Sequence, residues 1–153
     1  WLQQQDFTRK DRISLLGWSN GAIAALWAVR PRAAPTDNLP DFRAAAVLYP
    51  GCRRLGESAW SARIPTIILI GAADTWTLAR DCEQMVAGAS GRSARATIVK
   101  YRGAYHQFDR ENLPLMELRG LAFTPDGSGR AHIGGNAEAR ADALRRVPQW
   151  LAR

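Results

Sequence analysis

Five consecutive residues, Gly17-Trp18-Ser19-Asn20-Gly21, match the pattern G-x-S-x-G. That spacing suits a serine nucleophile, because a serine on a strained strand-to-helix turn projects its hydroxyl clear of the sheet. It predicts that a side chain at either glycine would collide with neighbouring backbone. A bare match also describes a small-residue turn in which Ser19 caps a helix. The flanking sequence separates the two readings. Arg12 to Trp18 (RISLLGW) is a compact apolar run, while Asn20 to Val29 (NGAIAALWAV) is rich in Ala and Leu and stops before Pro31. Strand, sharp turn and helix are the context in which the pattern acts as a nucleophile turn.

A serine hydroxyl needs a base within hydrogen-bond reach, and the chain holds two histidines, His106 and His132. His106 comes five residues after the apolar run Ala96 to Tyr101. A base close to its strand is better fixed in space, so His106 is preferred to His132. Asp74 closes the small-residue turn Gly71-Ala72-Ala73-Asp74, just after the run Thr66 to Ile70, which would leave its carboxylate at the carboxyl edge of a sheet. Taken singly, Asp74 reads equally well as a solvated or helix-capping aspartate, and His106 as a loop histidine resting on Tyr105 and Phe108. Three residues in the order nucleophile, acid, histidine, at three matching strand ends, argue for one constellation. The backbone N–H of Asn20 is the expected donor to an oxyanion, with a second N–H from the loop after an earlier strand, which this chain does not supply. Losing one such donor costs on the order of 10²–10³ in rate. Trp18, Trp76 and Phe108 flank the constellation in sequence and are candidates for an apolar acyl pocket, although aromatic residues beside strands also serve simply as core. Arg102 and Arg110 are candidates to hold a substrate carboxylate, against the commoner solvated role of surface arginine.

Short apolar runs alternating with longer helical stretches position these residues, and that alternation predicts an α/β fold with parallel strands and crossover helices. Strands are expected at 12–18, 44–49, 66–70 and 96–101, and helices at 20–29, from 77 to about 87, and at 137–151. A Pro-rich connection from Pro31 to Pro40 and a Gly88 to Gly91 turn cluster punctuate them. In the last helix Ala141, Leu144, Val147 and Leu151 recur at helical spacing and should face the sheet, with Pro148 shortening or bending it. The stretch from Gly103 to Asn136 is long, Gly- and Pro-containing and weakly patterned, as functional capping loops are. Residues 1–153 read as a single domain.

Composition narrows the partners. Hydrophobic residues make up 46% and charged residues 23%, which is ordinary for a globular protein. No stretch approaches the roughly 18 apolar residues of a membrane span, and no signal pattern opens the chain. Because it begins at Trp1, localisation stays open. The net charge of +7 is carried almost wholly by arginines scattered in ones and twos, with Lys10 and Lys100 the lysines. Without a basic run, zinc-finger spacing or aromatic-basic interleaving, nucleic-acid binding is not expected, nor is a metal or cofactor.

Taken together, Gly17-Trp18-Ser19-Asn20-Gly21, Leu48-Tyr49-Pro50-Gly51-Cys52, the segment Leu69 to Thr77 with Cys82-Glu83, Tyr105-His106-Gln107-Phe108-Asp109 and the closing Ala-rich helix resemble the dienelactone hydrolase family from its nucleophile onward. The resemblance covers nearly the whole chain. It implies that residues 1–153 are a single, partial domain, the C-terminal half of an α/β-hydrolase fold without the upstream strands, about four parallel strands with flanking helices, with Ser19 as nucleophile, Asp74 orienting the histidine and His106 as general base. The strand at 12–18 then becomes an edge open to pairing with an N-terminal segment or another chain. Founding members carry cysteine where this chain has Ser19, so the implied activity is a broader carboxylic-ester or lactone hydrolase. Cys52 and Cys82 are either a disulfide or two buried thiols. Related sequences with serine nucleophiles look exported, which favours the disulfide and a periplasmic or secreted location. In the chain-entropy model that bond is worth about 3–4 kcal/mol. A second reading, from a different class, is a catalytically incomplete interaction or scaffold module on the same fold.

Overall fold

The computed structural model describes residues 1–31, 40–89 and 96–152. Most of the Pro31 to Pro40 connection and half of the Gly88 to Gly91 cluster lie outside them. Thr66–Gly71 (TIILIG) is β-branched or leucine at nearly every position, and all six residues are buried, as a strand covered on both faces must be. With Leu15–Trp18 (β1) and Ala45–Leu48 (β2) before it and Ala96–Tyr101 (β4) after it, this third strand (β3) forms a parallel sheet in the order β1-β2-β3-β4. The register pairs Trp18 with Leu48, Leu48 with Leu69 and Leu69 with Val99. All four strands therefore end on one edge, and the loops that follow them share it.

Helix α1 (Ser19–Ala28) packs on β1 and β2 through Ala22, Ala25 and Leu26, spaced three and four apart on one face. At its end the Arg63 guanidinium donates to the carbonyl of Ala28, its last residue, and to that of Arg30 just beyond it, both at 2.6 Å. Helix α2 (Arg53–Glu57) is a short turn after β2 that the sequence pattern does not announce. Helix α3 (Ala79–Gly88) starts two residues later than expected and packs on α2, β4 and β3. A disulfide joins Cys52 to Cys82, both buried, with Cα atoms 4.9 Å apart.

Three expectations are corrected. Strand β1 begins at Leu15, because Lys10–Arg12 winds into a 3₁₀ turn. The last helix, α4 (Ala137–Leu151), continues through Pro148, which sits in the final turn, where the lost N–H breaks only one bond. Its inward face is Ala139, Ala143 and Trp150, with the expected Val147 and Leu151 packed at its margin, while Ala141 and Leu144 are exposed. The bulk of Trp150 and the Tyr101 hydroxyl, which donates to Asp142 at 2.8 Å, set that rotation. The stretch from 103 to 136 also holds two short antiparallel strands, Met116–Leu118 (β5) and Ala131–Ile133 (β6).

Candidate active site

Gly17 is the last-but-one residue of β1, and a Cβ there would sit 2.4 Å from Gly21 O, so glycine is what lets the strand end approach the first turn of α1. Gly21 is different: a Cβ there meets nothing within 4 Å, against the expected collision. Between them Ser19 takes φ 47, a conformation that non-glycine residues hold only when their surroundings over-determine it. Ser19 is the first residue of α1, so neighbouring N–H groups of that turn have no partner within the helix, and Asn20 is among them.

Gly71 repeats the device at the end of β3. Its missing Cβ leaves room for Ala104 O, 2.1 Å from where that atom would be, and so for the loop that carries His106. On that loop the buried His106 ring points one nitrogen each way. Nδ1 lies 2.8 Å from Asp74 Oδ2, and Nε2 lies 3.1 Å from Ser19 Oγ. A carboxylate can only accept, so the Nδ1–H faces Asp74 and Nε2 is left as the acceptor facing the serine hydroxyl.

Asp74 is itself held firmly. Its Oδ1 accepts from the N–H groups of Trp76 and Thr77 at 2.8 and 2.9 Å, and its Oδ2 accepts from the Thr77 hydroxyl at 2.8 Å. Two rings flank the imidazole, Tyr49 at 4.5 Å and Trp76 at 4.9 Å between centroids, rather than the Tyr105 and Phe108 of the alternative reading as a loop histidine. His132 lies apart on β6, against Tyr105, with its backbone N–H donated to Thr75 Oγ1.

A cavity of about 660 Å³ opens beside Ser19. Its apolar walls are Ile23 and Trp27 of α1, Leu55, Trp76, Leu78 and, from the β5–β6 connection, Leu121 and Phe123. Of the three aromatic residues anticipated, Trp76 lines it. Trp18 instead turns its indole N–H to Asp109 Oδ2 at 2.9 Å, and Phe108 is fully buried against Tyr49 and Tyr101. Arg53 and Arg54, rather than Arg102 and Arg110, reach the cavity. Ile23 and Trp27 had a readable signal, since steps of four from Ser19 place them on its own helix face. Thr77, three residues beyond Asp74, had only the weak one of turn spacing.

Among the described residues no group of three His, Cys, Asp or Glu is placed to hold a metal, and no helix is long and apolar enough to cross a membrane. The Tyr49 phenol is pushed well above its ordinary value, first by burial and then by the charge of Asp109, to which it donates at 2.8 Å.

Comparison with protein-family models matches residues 1–153 to the dienelactone hydrolase family. No curated protein matches the sequence. Among solved structures, Thermogutta terrifontis esterase 2 phosphoramylated by tabun superposes with a TM-score of 0.63 at 16% identity, over 95% of this chain and 56% of that one. The same esterase phosphorylated by paraoxon gives 0.56 at 18% identity, over 69% and 47%. Puromycin hydrolase gives 0.55 at 16% identity, over 70% and 20%. At these identities the likeness is one of fold, and the chain spans between 20% and 56% of the length of these structures.

Proposed function

Because the chain belongs to the dienelactone hydrolase family, and is thus a hydrolase of the α/β-hydrolase type, we propose that it cleaves carboxylic esters or lactones with Ser19 as nucleophile. His106 Nε2 takes the Ser19 proton as Oγ attacks the carbonyl, Asp74 holds the imidazole tautomer and steadies the imidazolium, and water later releases the acyl group. The Asn20 N–H, at the start of α1, is the donor proposed for the oxyanion. One observation carries the reading: the unbroken run of contacts from Ser19 Oγ through the buried His106 ring to Asp74. The cavity beside Ser19 supplies a matching site for an apolar acyl group. Arg53 and Arg54 at that cavity form no ion pair among the described residues, which suits a substrate bearing an anionic group. The Cys52–Cys82 bond favours an oxidising compartment as the place of work.

The test is turnover of p-nitrophenyl acetate and covalent labelling by a fluorophosphonate probe. Both are expected in the wild type and lost in Ser19→Ala, and Asp74→Asn should lower kcat by about 10⁴, the cost of holding the wrong tautomer. Labelling that persists in Ser19→Ala sinks the assignment. A folded wild type that neither turns over nor labels favours the non-catalytic module.

A further inference from the structure

His106 follows β4 and Ser19 follows β1, which lie at opposite edges of the sheet. At a strand spacing of about 4.8 Å, the loop after β4 crosses about 14 Å to reach the serine. Beyond His106 the Gly134 and Asn136 N–H groups donate to His106 O and Phe108 O, on the side of β6 and α4, and the side-chain tie to the ends of β1 and β2 is Asp109. The Oδ2 of Asp109 accepts from Trp18 Nε1 at 2.9 Å, and its Oδ1 accepts from the Tyr49 hydroxyl at 2.8 Å. Trp18 immediately precedes Ser19, and Tyr49 immediately follows β2. We propose that Asp109 is a positioning residue whose carboxylate clasps the ends of β1 and β2 to the loop carrying His106. Its kinetic consequence rests on the serine-hydrolase reading; the clasp itself does not.

Two features support the clasp. Ser19 and Tyr49, next to the two clasped strand ends, both adopt left-handed φ, 47 and 42, and relax unless held. The Tyr49 ring also packs on the His106 ring and on Phe108, so what holds its hydroxyl also holds the face against which the imidazole rests. A carboxylate fits because it presents two acceptor oxygens to two groups that can only give here. The indole has no acceptor, and the buried phenol keeps its proton.

The experiment compares Asp109→Ala, Asp109→Asn, Trp18→Phe and Tyr49→Phe by p-nitrophenyl acetate kinetics, thermal midpoint and imidazole NMR of His106. Asp109→Ala should lower kcat by about 10²-fold with KM nearly unchanged, the usual result of an ångström-scale misplacement. Asp109→Asn keeps one acceptor oxygen and should recover part of the loss. Adding Trp18→Phe to Asp109→Ala should cost nothing further, as for two ends of one interaction. A folded Asp109→Ala with wild-type kcat and an unchanged His106 spectrum overturns the clasp. So does an Asn variant no better than Ala, with kcat falling only as far as the folded fraction does. If Ser19→Ala retains wild-type turnover, or the wild type has none, the hydrolase reading fails separately, and the spectrum still decides: His106 ring signals sharp in the wild type and broadened in Asp109→Ala support the clasp. Should Asp109→Ala not fold, the two Phe variants each remove a single hydrogen bond, and the same kinetic and spectral readouts on them decide for or against the clasp.

Discussion

The two glycines around Ser19 stand in one sequence pattern for two physical situations. Gly17 has backbone 2.4 Å from where its Cβ would be, and Gly21 has open space. Gly17→Ala should therefore lower the thermal midpoint and disturb the turn on which Ser19 sits. Gly21→Ala, inside α1, should leave the fold intact and stabilise it by up to about 1 kcal/mol through helix propensity. Thermal melts of both variants check this; an equal loss in the two would mean the pattern is one indivisible unit. Ser19, Asp74 and His106 are legible in the sequence because each follows an apolar run at a fixed short distance. Tyr49 and Asp109 are not, since Asp109 lies 91 residues from Trp18 and 60 from Tyr49, and only the folded loops bring them together.

At the level of elements, apolar runs located all four parallel strands, and β4 matches residue for residue. Strands β5 and β6 escaped because three residues are too few to show alternation, and their pairing joins residues well apart in sequence, Met116 with Ile133 and Glu117 with His132. Helix α4 was found with its bounds, but its inner face depends on a polar tether that periodicity does not register. Tyr101 donates to Asp142, which also takes Arg146. The Asp142 carboxyl is held below its ordinary range, chiefly by the Arg146 hydrogen bond, and the Tyr101 phenol above its own, chiefly by burial. A depressed acid stabilises the fold above its unfolded value and loses that contribution as pH falls through the folded one. A raised phenol stabilises below its unfolded value and loses that contribution as pH rises beyond it. Tyr101→Phe should thus lower the melting temperature most between about pH 4 and pH 10, the unfolded values of the two groups. Melts across that range should show the gap to wild type closing in acid and in alkali; a gap that ignores pH would assign the effect to packing.

For the molecule as a whole, the Cys52–Cys82 bond closes a loop of 30 residues between β2 and α3. In the chain-entropy model it contributes about 3–4 kcal/mol. Reduction should then lower the melting temperature by on the order of 10 °C for a chain of this size. A scan with and without dithiothreitol measures it, and mass spectrometry showing two alkylated thiols in denatured, unreduced protein would remove the premise. The alternation of runs made the layered architecture readable, and the scattered arginines made a nucleic-acid surface an unattractive reading. What no local pattern carried is the cavity, whose walls come from four separate stretches of chain. One of them, the β5–β6 connection, bonds mostly to itself. Among the described residues its single hydrogen bond beyond 117–131 runs from Trp76 Nε1 to Phe123 O. On the proposed hydrolase reading, the connection between β5 and β6 is therefore a cassette: a library of grafted loops should retune which acyl groups are accepted while Ser19, Asp74 and His106, and the walls given by Ile23, Trp27 and Trp76, stay untouched.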